Sequence, residues 1–230
     1  MSNILSVIFV IFMCATAFGS TSYVLLVDAS GSMDDALPSG ERKIDAAKTA
    51  AIEFLDGVSS DDEIALMVFY DCDDIRVVTG FTNIFTSMKS SIQAIEPDSY
   101  TPIADALRDA ADYADSNASY SQKVIILLSD GEETCGSEGD PAIAAQYARQ
   151  NGISVIHAIG YDLGQNSDAV AQLKQVAQIG GGNYYDARDA VDLKKSLKNA
   201  YQGDGFCCAP AFIIPLLLGG GYLAVGRLER

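Results

Sequence analysis

Apolar residues fall into two kinds of pattern that alternate along most of the chain. Short, uninterrupted apolar runs are typical of strands that are buried on both faces of a sheet. Longer segments with apolar residues three or four positions apart indicate helices with one buried side. The predicted strands are Tyr23–Asp28, Glu63–Tyr70, Ile75–Thr79, Lys123–Ser129, Ile153–Ile159 and Asn183–Tyr185. The predicted helices are Lys43–Val58, Thr82–Ile95, one that opens at Thr101-Pro102, Pro141–Gln150, Ser167–Ile179 and Ala190–Tyr201.

The order of these elements predicts the fold class. Because strands and helices alternate, we expect an α/β fold with a doubly wound, mostly parallel sheet and helices on both faces. The third predicted strand follows the second after only Asp71–Asp74, a gap that suits a hairpin, so this strand is expected to be antiparallel and at the edge. Gly180–Gly182 are expected to end the fifth helix. The pattern predicts a single domain over residues 20–203.

The two ends of the chain differ from this body. Residues 1–19 are mostly apolar and end in small residues with an A-x-A-like cleavage sequence, which predicts a signal peptide or an N-terminal anchor. Residues 204–230 contain Cys207 and Cys208, a second apolar stretch and two terminal arginines, which predict a hydrophobic membrane anchor or a sorting tail. Both ends favour a location on the extracellular face of the cell membrane.

The charge of the chain excludes one class of partner. The sequence has 31 acidic and 15 basic residues, for a formal net charge of -16. Such a surface repels phosphate backbones, and no basic stripe offsets it. We therefore expect no binding to nucleic acid.

Two cysteines, Cys72 and Cys135, lie inside the predicted domain. In an oxidising compartment such a pair suggests a disulfide, provided that the two loops meet. Two free thiols are the alternative.

Five oxygen-bearing side chains are expected to meet at one rim of the sheet. Asp28 and Asp130 follow two strongly apolar strands, and the carboxyl ends of parallel strands share a rim. The loop that begins at Asp28 also carries the hydroxyls of Ser30 and Ser32, with a glycine between them that allows the turn. Thr101 adds a third hydroxyl at the start of a helix, where it is also the expected N-cap.

This donor set points to a particular class of metal ion. Hard oxygen ligands without His or Cys suit Mg²⁺, with Mn²⁺ or Ca²⁺ as substitutes. Two carboxylates and three neutral hydroxyls do not satisfy a divalent ion fully, so one coordination position is expected to stay open for an Asp or Glu side chain of a protein partner. Metal and partner would then bind cooperatively.

The same residues resemble the metal-ion-dependent adhesion site of von Willebrand factor A domains, a family that includes the inserted domains of integrins. The resemblance rests on Asp28-Ala-Ser-Gly-Ser32, on Thr101 before a proline, and on Ser129-Asp130-Gly131, and it covers about residues 21–201. The stretch Leu127–Gly136 is similar to secreted or surface bacterial and archaeal members.

This resemblance implies a Rossmann-like fold with the metal site at its top. It implies that Ser30, Ser32 and Thr101 coordinate the ion directly or through water, and that Asp28 and Asp130 act largely through water. The bound ion would then stay electrophilic toward a carboxylate of the partner.

Together these features predict a surface-anchored binding or adhesion module rather than an enzyme. One alternative is a metal-assisted hydrolase, against which stands the lack of a histidine at the rim, of a G-x-S-x-G sequence and of a phosphate-binding loop. Glu132 or Glu133 would have to serve as its general base. Another alternative is a subunit of a larger envelope complex.

Overall fold

The computed structural model describes residues 19–135 and 139–203. The predicted signal peptide or anchor, apart from its last residue, and the predicted C-terminal tail lie outside the described residues. Among the described helices, none has the length and apolar character needed to cross a membrane.

The strands of residues 19–135 and 139–203 form a six-stranded sheet in the order β3-β2-β1-β4-β5-β6. All neighbouring pairs are parallel except β2 and β3, which form the predicted antiparallel hairpin at one edge. The doubly wound, mostly parallel α/β fold is therefore confirmed. The strands are β1 Thr21–Asp28, β2 Glu63–Asp71, β3 Asp74–Thr82, β4 Gln122–Ser129, β5 Val155–Tyr161 and β6 Gly181–Ala187.

Six α-helices of the described residues cover the two faces of this sheet. They are α1 Lys43–Leu55, α2 Thr86–Gln93, α3 Ile103–Asn117, α4 Pro141–Gln150, α5 Ser167–Ile179 and α6 Ala190–Gly203. One apolar core lies between the sheet and α1, α2 and α6, and a second lies between the sheet and α3, α4 and α5. Alternate residues of the central strands enter opposite cores, for example Leu25 and Leu26 of β1. This is why those strands appear as continuous apolar runs in the sequence.

The predicted boundary between the third strand and the following helix is wrong. β3 continues to Thr82 rather than ending at Thr79, and α2 begins at Thr86 rather than at Thr82. As an edge strand β3 is half-exposed, so its apolar pattern is weak and hides its end.

The last strand is also longer than predicted, because it starts inside the glycine run. Gly180 caps α5 as expected, but β6 already begins at Gly181. A Cβ atom on Gly182 would lie 2.3 Å from the carbonyl oxygen of Ile156 on β5. The glycines therefore serve the close approach of the two strands as well as the end of the helix.

Candidate metal centre

The candidate centre lies at the carboxyl ends of β1 and β4, where the strand order reverses. These neighbouring parallel strands are paired up to Val27 and Leu128, so Asp28 and Asp130 emerge at the same rim. The chain leaves β1 toward one face of the sheet and β4 toward the other. A crevice at this reversal is the expected ligand position in a doubly wound sheet.

Asp28 is fully buried and is held by hydrogen bonds from two directions. Its Oδ1 accepts from the backbone N–H of Ser30 at 2.8 Å. Its Oδ2 accepts from the hydroxyl of Ser129 at 2.6 Å. Because β1 ends at Asp28 and β4 ends at Ser129, this second bond fixes the carboxylate across the two strand ends.

The hydroxyls of Ser30 and Ser32 link the first loop to Asp130. The two Oγ atoms are 3.2 Å apart, and the hydroxyl of Ser32 donates to Oδ1 of Asp130 at 2.7 Å. Hydrogen bonds therefore join four of the five predicted residues in one continuous series, from Asp28 through Ser30 and Ser32 to Asp130.

The glycine in this loop is needed for a close contact. The N–H of Gly31 donates to the carbonyl of Ser99 at 3.1 Å, and a Cβ atom at Gly31 would lie 2.8 Å from the carbonyl oxygen of Asp98. The backbone leading to Thr101 thus runs directly against the loop that carries the serines, and this contact brings the third hydroxyl toward the others.

Thr101 joins the cluster, but its expected role as a helix N-cap is wrong. α3 begins at Ile103, and Pro102 precedes it without a capping side chain. A Cβ atom on Gly131 would lie 3.8 Å from Oγ1 of Thr101 and 3.9 Å from Oγ of Ser32, so both hydroxyl oxygens lie within 4 Å of one point beside Asp130.

The cap of α3 comes instead from the segment that follows Asp130, residues 131–135, here called the capping loop. Oε2 of Glu133 accepts a hydrogen bond of 2.8 Å from the N–H of Ala104 in the first turn of α3. The backbone N–H of Thr134 donates to the carbonyl of Thr101, and the hydroxyl of Thr134 accepts from the backbone N–H of Thr101. These bonds leave the Thr101 side chain free of the capping task and hold its backbone beside Asp130.

The electrostatics of the cluster favour a cation. Burial, and secondarily the negative charge of Asp130, raise the pKa of Asp28 to about 7, although hydrogen bonds from Ser129 and Ser30 oppose the rise. Two buried carboxylates that repel each other are an arrangement that a divalent cation relieves.

Lys43, the first residue of α1, partly compensates this charge. Its Nζ donates to Oδ2 of Asp130 at 2.9 Å. Burial by itself lowers the pKa of Lys43, but the hydrogen bond and charge of Asp130, with the charges of Asp162 and Asp35, outweigh burial and raise this pKa above its ordinary value. The ammonium group therefore stays charged beside the cluster.

The donor set fits a hard divalent ion. Within the described ranges, no three side chains of His, Cys, Asp or Glu converge in a way that could hold a metal, so a site here depends on hydroxyls as well as on the two carboxylates. The five predicted residues supply such a set of oxygen atoms, which suits Mg²⁺, Mn²⁺ or Ca²⁺.

The sequence does not predict the contacts that four residues make around the cluster: Lys43, Ser129, Glu133 and Thr134. Lys43 had a detectable signal, because a lysine at the first position of a helix is disfavoured by the helix dipole and suggests a carboxylate partner. The contacts of the other three join distant segments, and no local pattern reveals them.

The structure also joins Cys72 and Cys135 in a disulfide, with Cα atoms 5.5 Å apart. Cys72 lies in the turn between β2 and β3, and Cys135 ends the capping loop. The bond therefore ties the capping loop to the edge hairpin of the sheet, as expected from the placement of the two cysteines.

Comparison with known families agrees with the fold. The family model described as von Willebrand factor type A domain matches residues 24–199. The chain is 33% identical over 184 residues to the uncharacterized protein YwmC of Bacillus subtilis. This match covers 74% of the chain and 78% of YwmC.

Solved structures show the same fold at lower identity. The vWF domain of the type V pili tip protein Mfa5 from Porphyromonas gingivalis is similar with a TM-score of 0.67 and 16% identity, over 80% of this chain and 94% of that one. An aerotolerance-related membrane protein from Bacteroides fragilis is similar with a TM-score of 0.64 and 20% identity, over 80% of this chain and 100% of that one.

Proposed function

The chain belongs to the von Willebrand factor type A domain family, and we propose that it is a metal-dependent binding module that captures an acidic side chain of a protein partner. The observation that carries this proposal is the convergence of the hydroxyls of Ser32 and Thr101 beside Asp130. Asp28 and Ser30 complete the set of oxygen donors through the same loop.

In this proposal Asp28, Ser30, Ser32, Thr101 and Asp130 hold Mg²⁺, with Mn²⁺ or Ca²⁺ as substitutes. The ion, when bound, supplies the electrophile that attracts the partner's carboxylate. The residues of the chain orient it: the strand ends fix Asp28, and the capping loop fixes Thr101.

The overall charge supports a strict dependence on the cation. A protein with a formal net charge of -16 repels an acidic ligand at long range. A partner carboxylate therefore depends on the cation for its attraction to this rim. Tyr100, which precedes Thr101 and is 55% exposed, is available for contact with such a partner.

The location that we propose is the extracellular face of the cell membrane. Two of the similar structures belong to a pilus tip protein and to a membrane protein. The apolar run in residues 1–19 and the hydrophobic segment in residues 204–230 support export and attachment through the tail. A role as subunit of a larger envelope complex agrees with the same neighbours and is the second candidate.

Binding is preferred over metal-assisted hydrolysis because Glu133, one of the two candidate bases, is already engaged and the single histidine of the sequence lies away from the rim. Glu133 uses both carboxylate oxygens, for the N–H groups of Ala104 and Cys135. His157 is buried at the middle of β5, paired in register with Ile126, away from the rim. Ester or phosphoester turnover that requires Mg²⁺ and is lost in Asp130→Ala would defeat the proposal of binding alone.

Two measurements test the proposal. Calorimetric titration of the folded protein with MgCl₂ and MnCl₂ is expected to show binding that Asp28→Ala abolishes. Capture from the native cell envelope is expected to recover proteins with Mg²⁺, and both chelator and Asp28→Ala are expected to lose the same proteins. Uptake of neither ion by the folded wild-type protein would contradict the proposal, and capture that survives chelation would contradict the metal-dependent mode.

A further inference from the structure

Lys43 occupies an unusual position for a lysine. It is the first residue of α1, where the helix dipole disfavours a positive charge. Its side chain is nevertheless only 10% exposed, with Nζ 2.9 Å from Asp130 and 3.7 Å from a carboxylate oxygen of Asp162. By contrast, the neighbouring Arg42 points outward to a separate acidic group of Asp34, Asp45 and Glu96. The carboxylate of Asp130 thus holds the ammonium group of Lys43 beside the candidate metal centre.

The two carboxylate oxygens of Asp130 have different hydrogen-bond donors. Oδ2 accepts the hydrogen bond from Lys43, whereas Oδ1 accepts the hydrogen bond from Ser32. Oδ1 lies on the side of the hydroxyl cluster, and Oδ2 is retained by the ammonium group. One oxygen of Asp130 therefore faces the other donors.

The ammonium group changes the charge balance of the centre. When ionised, Asp28 and Asp130 contribute two negative charges, and Lys43 contributes one positive charge. A divalent ion brings the total charge of these three groups to +1, or to zero when Asp162, 3.7 Å from Lys43, is counted as well. In either case Lys43 makes the loaded centre more positive by one charge. With the lysine neutralised, the same ion would be fully balanced by the two carboxylates and would attract a further carboxylate less.

We propose that Lys43 is a specificity-determining residue of the centre: it lowers the affinity for the bare cation and raises the affinity of the loaded centre for a carboxylate. This inference rests on the proposed function. It adds that one residue outside the metal-binding motif sets the balance between the affinity for the metal and the affinity for the carboxylate ligand.

Lys48 provides a matched control for Lys43. It lies on the same helix, its side chain is also 10% exposed, and its Nζ is paired with Glu96 at 3.1 Å and Asp45 at 3.7 Å. Replacement of either lysine by methionine removes a largely buried ammonium group from α1, although the partners of Lys48 are more exposed than Asp130. Lys43→Met alone removes a charge from the candidate centre.

The experiment measures two affinities in each variant. Calorimetry gives the affinity for Mn²⁺ alone, and broadening of the acetate methyl NMR signal by the Mn²⁺-loaded protein gives the affinity for a carboxylate. In Lys43→Met we expect Mn²⁺ to bind about tenfold more tightly and acetate about tenfold more weakly, the effect of one charge-assisted hydrogen bond. Lys48→Met is expected to match the wild type, and Lys43→Arg, which keeps the charge, is expected to stay close to it.

The outcomes separate this inference from the function on which it rests. If the wild-type protein takes up no Mn²⁺, the proposed function fails and the inference fails with it. If the wild type binds Mn²⁺ but Lys43→Met and Lys48→Met behave alike, the proposed role of Lys43 is overturned and the proposed function stands. The same holds if Lys43→Met strengthens both affinities. Circular dichroism checks the fold, and Lys43→Gln, a neutral hydrogen-bond donor, replaces Lys43→Met if that variant does not fold.

Discussion

The hydroxyl of Ser32 donates a hydrogen bond of 2.7 Å to Oδ1 of Asp130, across 98 positions of sequence. The two residues stand on loops that leave neighbouring strands toward opposite faces of the sheet. The bond therefore connects the two layers of the fold at the point where they separate. A cation held by the same atoms would strengthen that connection, so metal binding and the stability of the domain should be linked.

This link predicts that Ser32→Ala removes the stabilisation by metal. A metal that binds only the folded state adds about 2.7 kcal/mol to the free energy of unfolding when the free metal concentration is 100 times the Kd. We expect Mg²⁺ and Mn²⁺ to raise the melting temperature of the wild type but not that of Ser32→Ala. Ser39→Ala, in an exposed part of the following segment, is the control and should respond like the wild type. Equal shifts in both variants would contradict a metal site that includes Ser32.

How far the sequence predicts this molecule depends on whether a feature is local. β1 and β4 are buried on both faces, so their apolar runs and the acids that follow them were located within about two residues. The half-exposed edge strand β3 has no such run, and its end was misplaced. Asp28, Ser30 and Ser32 stand within five positions of one loop, so their proximity could likewise be predicted.

The surroundings of Thr101 show where such prediction stops. Its expected N-cap role failed because Glu133, 29 positions beyond Ala104, caps the helix instead. Its backbone is held by Thr134, 33 positions away. Contacts at these separations follow from the packing of the whole fold, and helix-capping preferences do not include a competitor from another loop.

Loss of the cap supplied by Glu133 should weaken both the helix and the metal site. Glu133→Ala removes the acceptor for Ala104, and loss of a helix cap costs about 1 kcal/mol. We expect a lower urea midpoint and a reduced affinity for Mn²⁺, because the capping loop also positions Thr101. Glu132→Ala, at the exposed neighbouring position, should change neither quantity. An unchanged urea midpoint in Glu133→Ala would show that the cap is not needed.

Reduction of the disulfide should have a similar effect through the other end of the capping loop. The bond joins Cys72 and Cys135, which are 63 positions apart, and closure of loops of this size stabilises proteins by typically 2–4 kcal/mol. We expect dithiothreitol to lower the melting temperature of the wild type and to weaken Mn²⁺ binding. The double variant Cys72→Ser, Cys135→Ser should start from those lower values and show no response to dithiothreitol. A wild type with the same Mn²⁺ affinity in both redox states would limit the disulfide to a role in stability.

The contact between Gly31 and Asp98 leads to the last prediction, Gly31→Ala. The new methyl group would lie 2.8 Å from the carbonyl oxygen of Asp98, a backbone atom that cannot move without shifting the segment that leads to Thr101. Overpacking of this kind typically costs about 1–3 kcal/mol, and here it should also separate the hydroxyl of Thr101 from that of Ser32. We therefore expect Gly31→Ala to lose stability in urea and to lose most of its Mn²⁺ affinity. Gly57→Ala is the matched control, because its methyl group would meet the carbonyl of Phe54 at an ordinary 3.5 Å. Thr101 reaches the centre through the segment that this methyl group displaces. If Gly31→Ala is less stable but binds Mn²⁺ as tightly as Gly57→Ala, Thr101 is therefore not one of the ligands.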